Sequence, residues 1–175
     1  MTAGADARVT SSFRGHWRGG ISHPDPVWHR ASMATESRHI STHIDRPAVV
    51  TYEYARNPAN LPAWAAGLGA SVELLDGQWV AESPTGRVVV AFVPANEFGV
   101  LDHRVTLPSG RTVDNPMRVV VDGVGCEVVF TVRRQPGMSD EEFDRDTDAV
   151  RNDLATLKRV LESGLTHSRA DSLPG

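Results

Sequence analysis

Seven stretches of the chain are typical of β-strands, and most of them alternate between polar and apolar residues, although both faces of the run at 87–93 are largely apolar. The first covers residues 38–44, and six more follow at 70–75, 78–83, 87–93, 98–107, 112–121 and 126–134. Turn residues such as Asp76-Gly77 and Pro108-Ser109-Gly110 separate the later runs, as in hairpins. Consecutive hairpins predict an antiparallel meander, whose apolar face another element must cover.

Helical patterns occur both before and after this meander in the sequence. Pro47 and the pair Asn57-Pro58 predict two short helices, at about residues 46–56 and 58–67. After the meander, Ser139 and Glu142 form a capping box at the start of a helix of roughly 24 residues. Its apolar positions recur at spacings of three and four, so one face is dry; they are Phe143, Val150, Leu154, Leu157 and Leu161.

The alternation along each strand also predicts which side chains point into the domain. In the run at 98–107, His103 shares a face with Leu101 and Val105, whereas Asp102 and Arg104 face the opposite way. Nine residues are candidates for the interior, either as hydrophobic core or as the lining of a ligand site: Trp64, Trp79, Phe92, Leu101, His103, Val105, Met117, Val119 and Phe130. Periodicity identifies burial alone, so each of them also fits an ordinary hydrophobic core.

His103 is the candidate with the clearest chemistry. A polar side chain on an apolar inner face must find a hydrogen-bond partner, which is either another protein group or an oxygen atom of a ligand. In contact with a ligand, the imidazole would orient a carbonyl group of that ligand or act as a general acid or base.

Composition narrows the function classes. The net charge of −4, with Lys and Arg scattered singly, gives no basic stripe for nucleic acid. Cys126 is the only cysteine, so no internal disulfide forms, as in a protein of the reducing cytoplasm. No apolar run has the length of a membrane-spanning helix. We therefore expect a cytoplasmic protein that binds no nucleic acid and does not insert into a membrane.

Neither a metal nor a cofactor is predicted. His39 and His43 share a strand face, but four residues at about 3.3 Å each place them about 13 Å apart, too far for one ion. The chain contains no Cys-x-x-Cys, His-Glu-x-x-His, phosphate-binding glycine loop or Gly-x-Ser-x-Gly motif. No catalytic motif is therefore identified.

The regular patterns set the expected domain limits. Residues 1–36 are rich in Gly, Ser, Arg, His and Pro without a helical or strand period, and we predict a disordered extension there. Residues 37–164 form the predicted domain, and residues 165–175 a disordered tail. Because the regular pattern begins soon after Met33, translation from Met33 instead of Met1 is an alternative start.

The order of these elements resembles the START-like (SRPBCC) superfamily, which includes polyketide cyclases and lipid-transfer proteins. The runs Ile44-Asp45-Arg46-Pro47-Ala48 and Asn57-Pro58-Ala59-Asn60-Leu61-Pro62-Ala63-Trp64 look like its first strand and helix pair. Asp102-His103-Arg104-Val105, Asn115-Pro116-Met117 and Arg134-Gln135-Pro136-Gly137 look like a bacterial polyketide-cyclase-like subgroup. The likeness covers about residues 38–163.

The resemblance implies an α+β helix-grip fold. In this fold a curved seven-stranded antiparallel sheet wraps round a long C-terminal helix, with two short helices after the first strand, and a deep cavity lies between sheet and helix. It implies an internal site for a lipid, polyketide or aromatic metabolite, and names no ligand. Two alternatives stay open: an aromatase or cyclase in which His103 moves protons with help from Arg118 or Asp114, and a protein-interaction module of the chaperone co-regulator type.

Overall fold

The computed structural model describes residues 36–68, 71–83 and 86–170, with side chains as far as residue 163. The predicted extension before residue 36 and the last five residues of the predicted tail lie outside this part of the chain. The elements are β1 (Ser37–Ile44), α1 (Ala48–Ala55), two 3-10 helices (Pro58–Ala63 and Ala66–Leu68), β2 (Val72–Leu75), β3 (Gln78–Ser83), β4 (Gly86–Phe92), β5 (His103–Thr106), β6 (Thr112–Asn115), β7 (Met117–Asp122), β8 (Gly125–Arg133) and α2 (Asp140–Ala170). Residues 58–68, which contain both 3-10 helices, are called the 3-10 segment below.

The first and last of the described strands pair with each other although all the others lie between them in the chain. β8 lies between β1 and β7 in an antiparallel three-stranded sheet, and Phe130 has Ile40 on one side and Met117 on the other. The alternation predicted for β8 is confirmed, because its inward set is buried: Cys126, Val128, Phe130 and Val132.

The middle of the chain forms the predicted meander. β2, β3, β4, β5 and β6 pair in that order in an antiparallel five-stranded sheet. Val88 and Val90 of β4 are buried and Phe92 is half-buried, so the even-numbered residues of this strand face the core. In β5 the inward position of His103 is confirmed, with about 8% of its surface exposed.

The prediction of one seven-stranded sheet is wrong, because the described residues form eight strands in sheets of five and three. The strand predicted at 112–121 is divided at Pro116 into β6, which pairs with β5, and β7, which pairs with β8. Proline has no N–H to donate to a strand ladder, so it suits the corner where the chain passes between sheets. Its carbonyl accepts a hydrogen bond from the Thr131 N–H at 2.9 Å, which holds the corner against β8.

The strand predicted at 98–107 is also shorter than expected. Only His103–Thr106 joins the five-stranded sheet, while the residues just before it bond to β7 of the other sheet, with the Leu101 N–H 2.9 Å from the Met117 carbonyl oxygen. Gly99 has a φ of +68°, and a Cβ there would stand 2.1 Å from the Val119 carbonyl oxygen. Glycine is therefore needed where this segment links the edges of the two sheets.

The predicted C-terminal helix and its dry face are confirmed. The Ser139 N–H donates to Glu142 Oε2 at 2.8 Å and the Glu142 N–H donates to Ser139 Oγ at 3.2 Å, the two bonds of a capping box. Phe143, Leu154 and Leu157 are buried against the sheets. The helix continues to Ala170, past the predicted domain limit at residue 164.

The two short helices predicted after β1 are present with different geometry. α1 covers eight residues, and the second helix is of the 3-10 type. The Asn57 side chain accepts a hydrogen bond from the Ala59 N–H at 3.1 Å and so caps the start of the 3-10 segment. Pro62 within it cannot donate a backbone hydrogen bond, which limits the length of a regular helix here.

Candidate functional site

A cavity of about 460 Å³ lies between the strands and α2. Three walls enclose it: the 3-10 segment, the inner faces of β5, β6 and β8, and one side of α2. Each wall contributes mainly apolar side chains, including Leu61, Trp64, Leu68, Val105, Leu107, Val113, Phe130, Val132, Val150 and Leu154. The domain interior therefore contains a space with a largely hydrophobic lining.

His103 lies on the strand wall of this cavity and is held by two aromatic rings. Its imidazole stacks on Phe92 with the ring centroids 4.7 Å apart and meets Phe130 edge-on at 5.9 Å. Its Nδ1 lies 3.1 Å from the Leu101 carbonyl oxygen. Packing and this hydrogen bond together fix the orientation of the ring.

The surroundings of His103 also determine the charge of its ring and which ring nitrogen carries the proton. Burial lowers the pKa of its imidazole, although the hydrogen bond to the Leu101 carbonyl and the nearby charge of Asp102 act in the opposite direction. The ring is therefore neutral at neutral pH. A carbonyl oxygen can only accept, so the single proton of the neutral ring is on Nδ1, and Nε2 carries a lone pair.

Trp64, at the end of the first 3-10 helix, forms part of the facing wall. Its side chain is about 4% exposed, and its Nε1 is buried without a hydrogen-bond partner in the described part of the chain. A buried donor without a partner costs roughly 1–3 kcal/mol. Trp64 thus lines the cavity with its ring, while its unsatisfied Nε1 is sealed within the wall.

Four charged side chains also line the cavity. Asp146 and Asp153 come from α2, whereas Arg111 precedes β6 and Arg133 ends β8. Burial raises the pKa of both carboxyl groups, and for Asp146 the nearby Arg145 partly opposes this shift. With two acidic and two basic groups, the lining does not favour ligands of one charge.

Asp153 links two of the walls. Its Oδ1 accepts a hydrogen bond from the Ala66 N–H at 3.0 Å, at the start of the second 3-10 helix. This bond fastens the 3-10 segment, with Trp64 in it, to α2.

A second, more polar groove lies on the other side of His103. It has a volume of about 480 Å³, and it shares His103, Asn115 and Arg133 with the cavity. Asp114 and Arg104 border this groove and pair with each other at 2.7 Å on the outer side of the sheet. Arg118 pairs with Asp102, so neither helper suggested for a cyclase lines the cavity with His103.

The structure brings together some of the nine predicted site residues and separates others. Trp64, His103, Val105 and Phe130 line the cavity. Phe92 lies behind His103 and borders the groove. The remaining four line neither space: Leu101, Met117 and Val119 are buried in the core, and Trp79 is half-buried in β3.

Sequence reasoning missed the contribution of α2 to the cavity. Asp146, Ala149, Val150 and Asp153 are spaced so that they share one side of the helix, where all four line the cavity. The sequence could have indicated this, because Asp146 and Asp153 lie four residues before and three residues after Val150, on the same side of a helix. Arg111 and Met138 follow no such pattern, since they come from connections between elements.

The described residues contain neither a metal-binding cluster nor a membrane-spanning helix. No group of three or more His, Cys, Asp or Glu side chains there is arranged to hold a metal ion. None of the helices in that part of the chain combines the length and the apolar character needed to cross a membrane.

Comparisons with known proteins gave matches among solved structures only. No family model and no curated protein matches the chain. A START superfamily protein from Mycobacterium smegmatis is similar, with 12% identity, a TM-score of 0.56, and coverage of 73% of this chain and 97% of that one. Ara h 8.0201 is similar with 11% identity, a TM-score of 0.57, and coverage of 74% and 99%.

A third similar structure is the di-domain ARO/CYC protein BexL from the BE-7585A biosynthetic pathway. It has 17% identity and a TM-score of 0.55, and the match covers 73% of this chain and 46% of that longer one. The strand order, the long C-terminal helix and these likenesses agree with the resemblance found in the sequence. These likenesses show that the chain has the fold seen in START-like proteins.

Proposed function

We propose that this protein binds a small hydrophobic molecule in the cavity between its strands and α2. The observation that carries this proposal is the largely apolar lining around about 460 Å³. That volume lies within the range of about 300–1,000 Å³ typical of ligand pockets, in which a few polar groups orient the ligand. The lipid, polyketide or aromatic metabolite expected from the sequence is the ligand class proposed here.

The predicted site residues divide under this proposal. Trp64, His103, Val105 and Phe130 are proposed to contact the ligand, because they line the cavity. Leu101, Met117 and Val119 are proposed to support the wall from the core, where they are fully or almost fully buried. Trp79 and Phe92 are not proposed as ligand contacts.

The two alternative functions, a cyclase-type enzyme and a protein-interaction module, have less support. A cyclase would need proton-transfer partners for His103, and Asp114 and Arg118 are instead engaged with Arg104 and Asp102. An interaction module would be favoured by a solidly packed interior, and the cavity gives it no such support. The cytoplasmic location expected from the sequence stays a prediction.

Two alanines on α2 allow a direct test. Ala149 lines the cavity and Ala155 does not, and both are exposed positions on the same helix. We expect Ala149→Trp to fill part of the cavity and to weaken binding of the neutral probe N-phenyl-1-naphthylamine at least about tenfold. Ala155→Trp, the matched control, should bind the probe as the wild type does. Binding is measured from the rise in probe fluorescence on titration.

The probe affinities of the two variants, each compared with the wild type, show whether the probe binds in the cavity. Equal affinities in the wild type and in both variants would place the probe outside the cavity and contradict the proposal. Circular dichroism spectra of all three proteins show whether the helix is retained.

A further inference from the structure

His103 presents one particular hydrogen-bonding group to the cavity. Its Nδ1–H is engaged by the Leu101 carbonyl oxygen, so Nε2 of the neutral ring can only accept. Rotating the ring to exchange the nitrogens would break that hydrogen bond and disturb the stack on Phe92. The acceptor is therefore fixed in place before a ligand arrives.

Nε2 itself has no partner among the described residues. No donor there lies within hydrogen-bonding distance of it, and it is not among the polar atoms sealed from solvent, unlike Trp64 Nε1. His103 borders the cavity as well as the groove, so a molecule in the cavity lies next to its ring. An acceptor with no protein donor is complementary to a ligand that supplies one.

The neighbouring charges do not change this preference. Asp102 adjoins His103 in the chain but faces the other side of the strand, where it pairs with Arg118. Among the groups that line the cavity, Asp146 and Asp153 balance Arg111 and Arg133 in number. A carboxylate or a ketone oxygen placed at Nε2 would bring two lone pairs together, which is repulsive.

We propose that the ligand carries a hydroxyl group, phenolic, enolic or alcoholic, that donates its hydrogen bond to His103 Nε2. This inference rests on the proposed function and narrows it to neutral hydroxylated compounds. It also replaces the expectation that His103 would orient a carbonyl, which requires a donor where this ring has an acceptor.

The test uses a pair of probes that differ only at the hydroxyl. Isothermal titration calorimetry at pH 7.5 measures the affinities of 2-naphthol and 2-methoxynaphthalene for the full chain. Three variants are compared with the wild type. His103→Phe keeps a ring on Phe92 and removes the acceptor, His103→Gln keeps an acceptor, and His39→Phe removes an exposed imidazole on β1.

The quantity to follow is the affinity for 2-naphthol divided by that for 2-methoxynaphthalene, because it cancels the general hydrophobic contribution. We expect this ratio to fall about tenfold in His103→Phe, the size of one neutral hydrogen bond. His103→Gln should keep part of the ratio, and His39→Phe should keep all of it.

The other results separate the two proposals. If both probes bind the wild type but the ratio is the same in His103→Phe, the hydroxyl assignment is overturned and the binding cavity stands. If neither probe binds the wild type, both proposals fail.

Discussion

His103 shows how one position can combine burial with an accessible polar atom. Strand alternation places it inside, two aromatic rings fix its plane, and a backbone carbonyl fixes its proton on Nδ1. Burial among these rings disfavours the charged form and outweighs the carbonyl hydrogen bond, which acts in the opposite direction. The same constraints leave Nε2 as a neutral acceptor in the cavity wall.

The lowered pKa of His103 has a consequence for stability. In the unfolded chain the imidazole titrates near 6.5, whereas burial keeps it neutral to lower pH in the folded protein. Between these two values the unfolded state binds a proton that the folded state does not. The free energy of unfolding contributed by His103 therefore falls as the pH drops below about 6.5, and levels off below the pKa of the folded state.

We expect this pH dependence to disappear when the imidazole is removed. Urea denaturation between pH 7.5 and 5.5 should give a smaller loss of stability in His103→Phe and in His103→Gln than in the wild type, by at most about 1.4 kcal/mol per pH unit. A wild-type slope that persists in both variants would show that the ring is charged in the folded protein and would contradict the neutral acceptor.

For single residues, the sequence predicted which side chains point inward better than it predicted what each of them does. Alternation alone placed His103, Val105 and Phe130 on an inner face. It could not tell which of the nine candidates border a space and which are packed, because Leu101 and His103 share the same face of the same segment. The tautomer of His103 depends on a carbonyl that becomes its neighbour only in the folded chain.

Among the elements that line the cavity, the 3-10 segment contains the shortest helices. Its helices are short, its Leu61 and Trp64 are buried, and Asp153 on α2 holds it by a single side-chain bond to Ala66. Local opening of such a segment requires fewer broken contacts than opening of a strand. We therefore expect ligand entry to occur by displacement of this segment from α2.

The bond from Ala66 to Asp153 can be tested separately. Asp153→Ala removes the acceptor, and we expect exchange of the amide hydrogens in residues 61–68 to become about tenfold faster, since one hydrogen bond no longer opposes opening. Hydrogen exchange followed by mass spectrometry measures this.

Asp148→Ala is the matched control on the same helix, because Asp148 is exposed and pairs with Arg151 one turn away. Its amide exchange in residues 61–68 should equal that of the wild type. If the two variants exchange alike, the attachment of the segment lies in its apolar contacts and not in Asp153.

The elements show where local pattern stops being informative. The sequence predicted β3 with its bounds and α2 with its capping box, because both depend on residues close together in the chain. It predicted one strand where β6 and β7 are two. The period of polar and apolar residues continues across Pro116, while the pairing partner changes there from β5 to β8.

For the whole molecule, the decisive feature is that the strands and α2 do not meet side chain to side chain everywhere. Leu157 and Leu161 pack against the strands, while Leu154 and Val150, one and two turns before Leu157, border the cavity. The apolar pattern predicted that α2 covers the sheet, and the family resemblance implied a cavity beneath it. The size of the space depends on how far the two sheets curve, which no local pattern records.

The division of α2 into a packed part and a cavity-lining part predicts a difference between two buried leucines. Leu157 is fully buried in the core, whereas Leu154 is equally shielded but borders the cavity. Leu157→Ala removes contacts on all sides and should cost about 3–4 kcal/mol of unfolding free energy. Leu154→Ala enlarges a space that already exists, so it loses fewer contacts and should cost about 2 kcal/mol. Urea denaturation measures both values.

The same two variants also connect stability to binding. Leu154→Ala should still bind N-phenyl-1-naphthylamine, because its truncation widens the wall without blocking it, and its stability should rise with probe concentration as expected for a ligand bound to the folded state. Equal losses of stability in the two variants would mean that Leu154 is packed as tightly as Leu157. In that case no space for a ligand would remain between the strands and α2. The proposed binding site would then have to be abandoned, because α2 forms one of its walls.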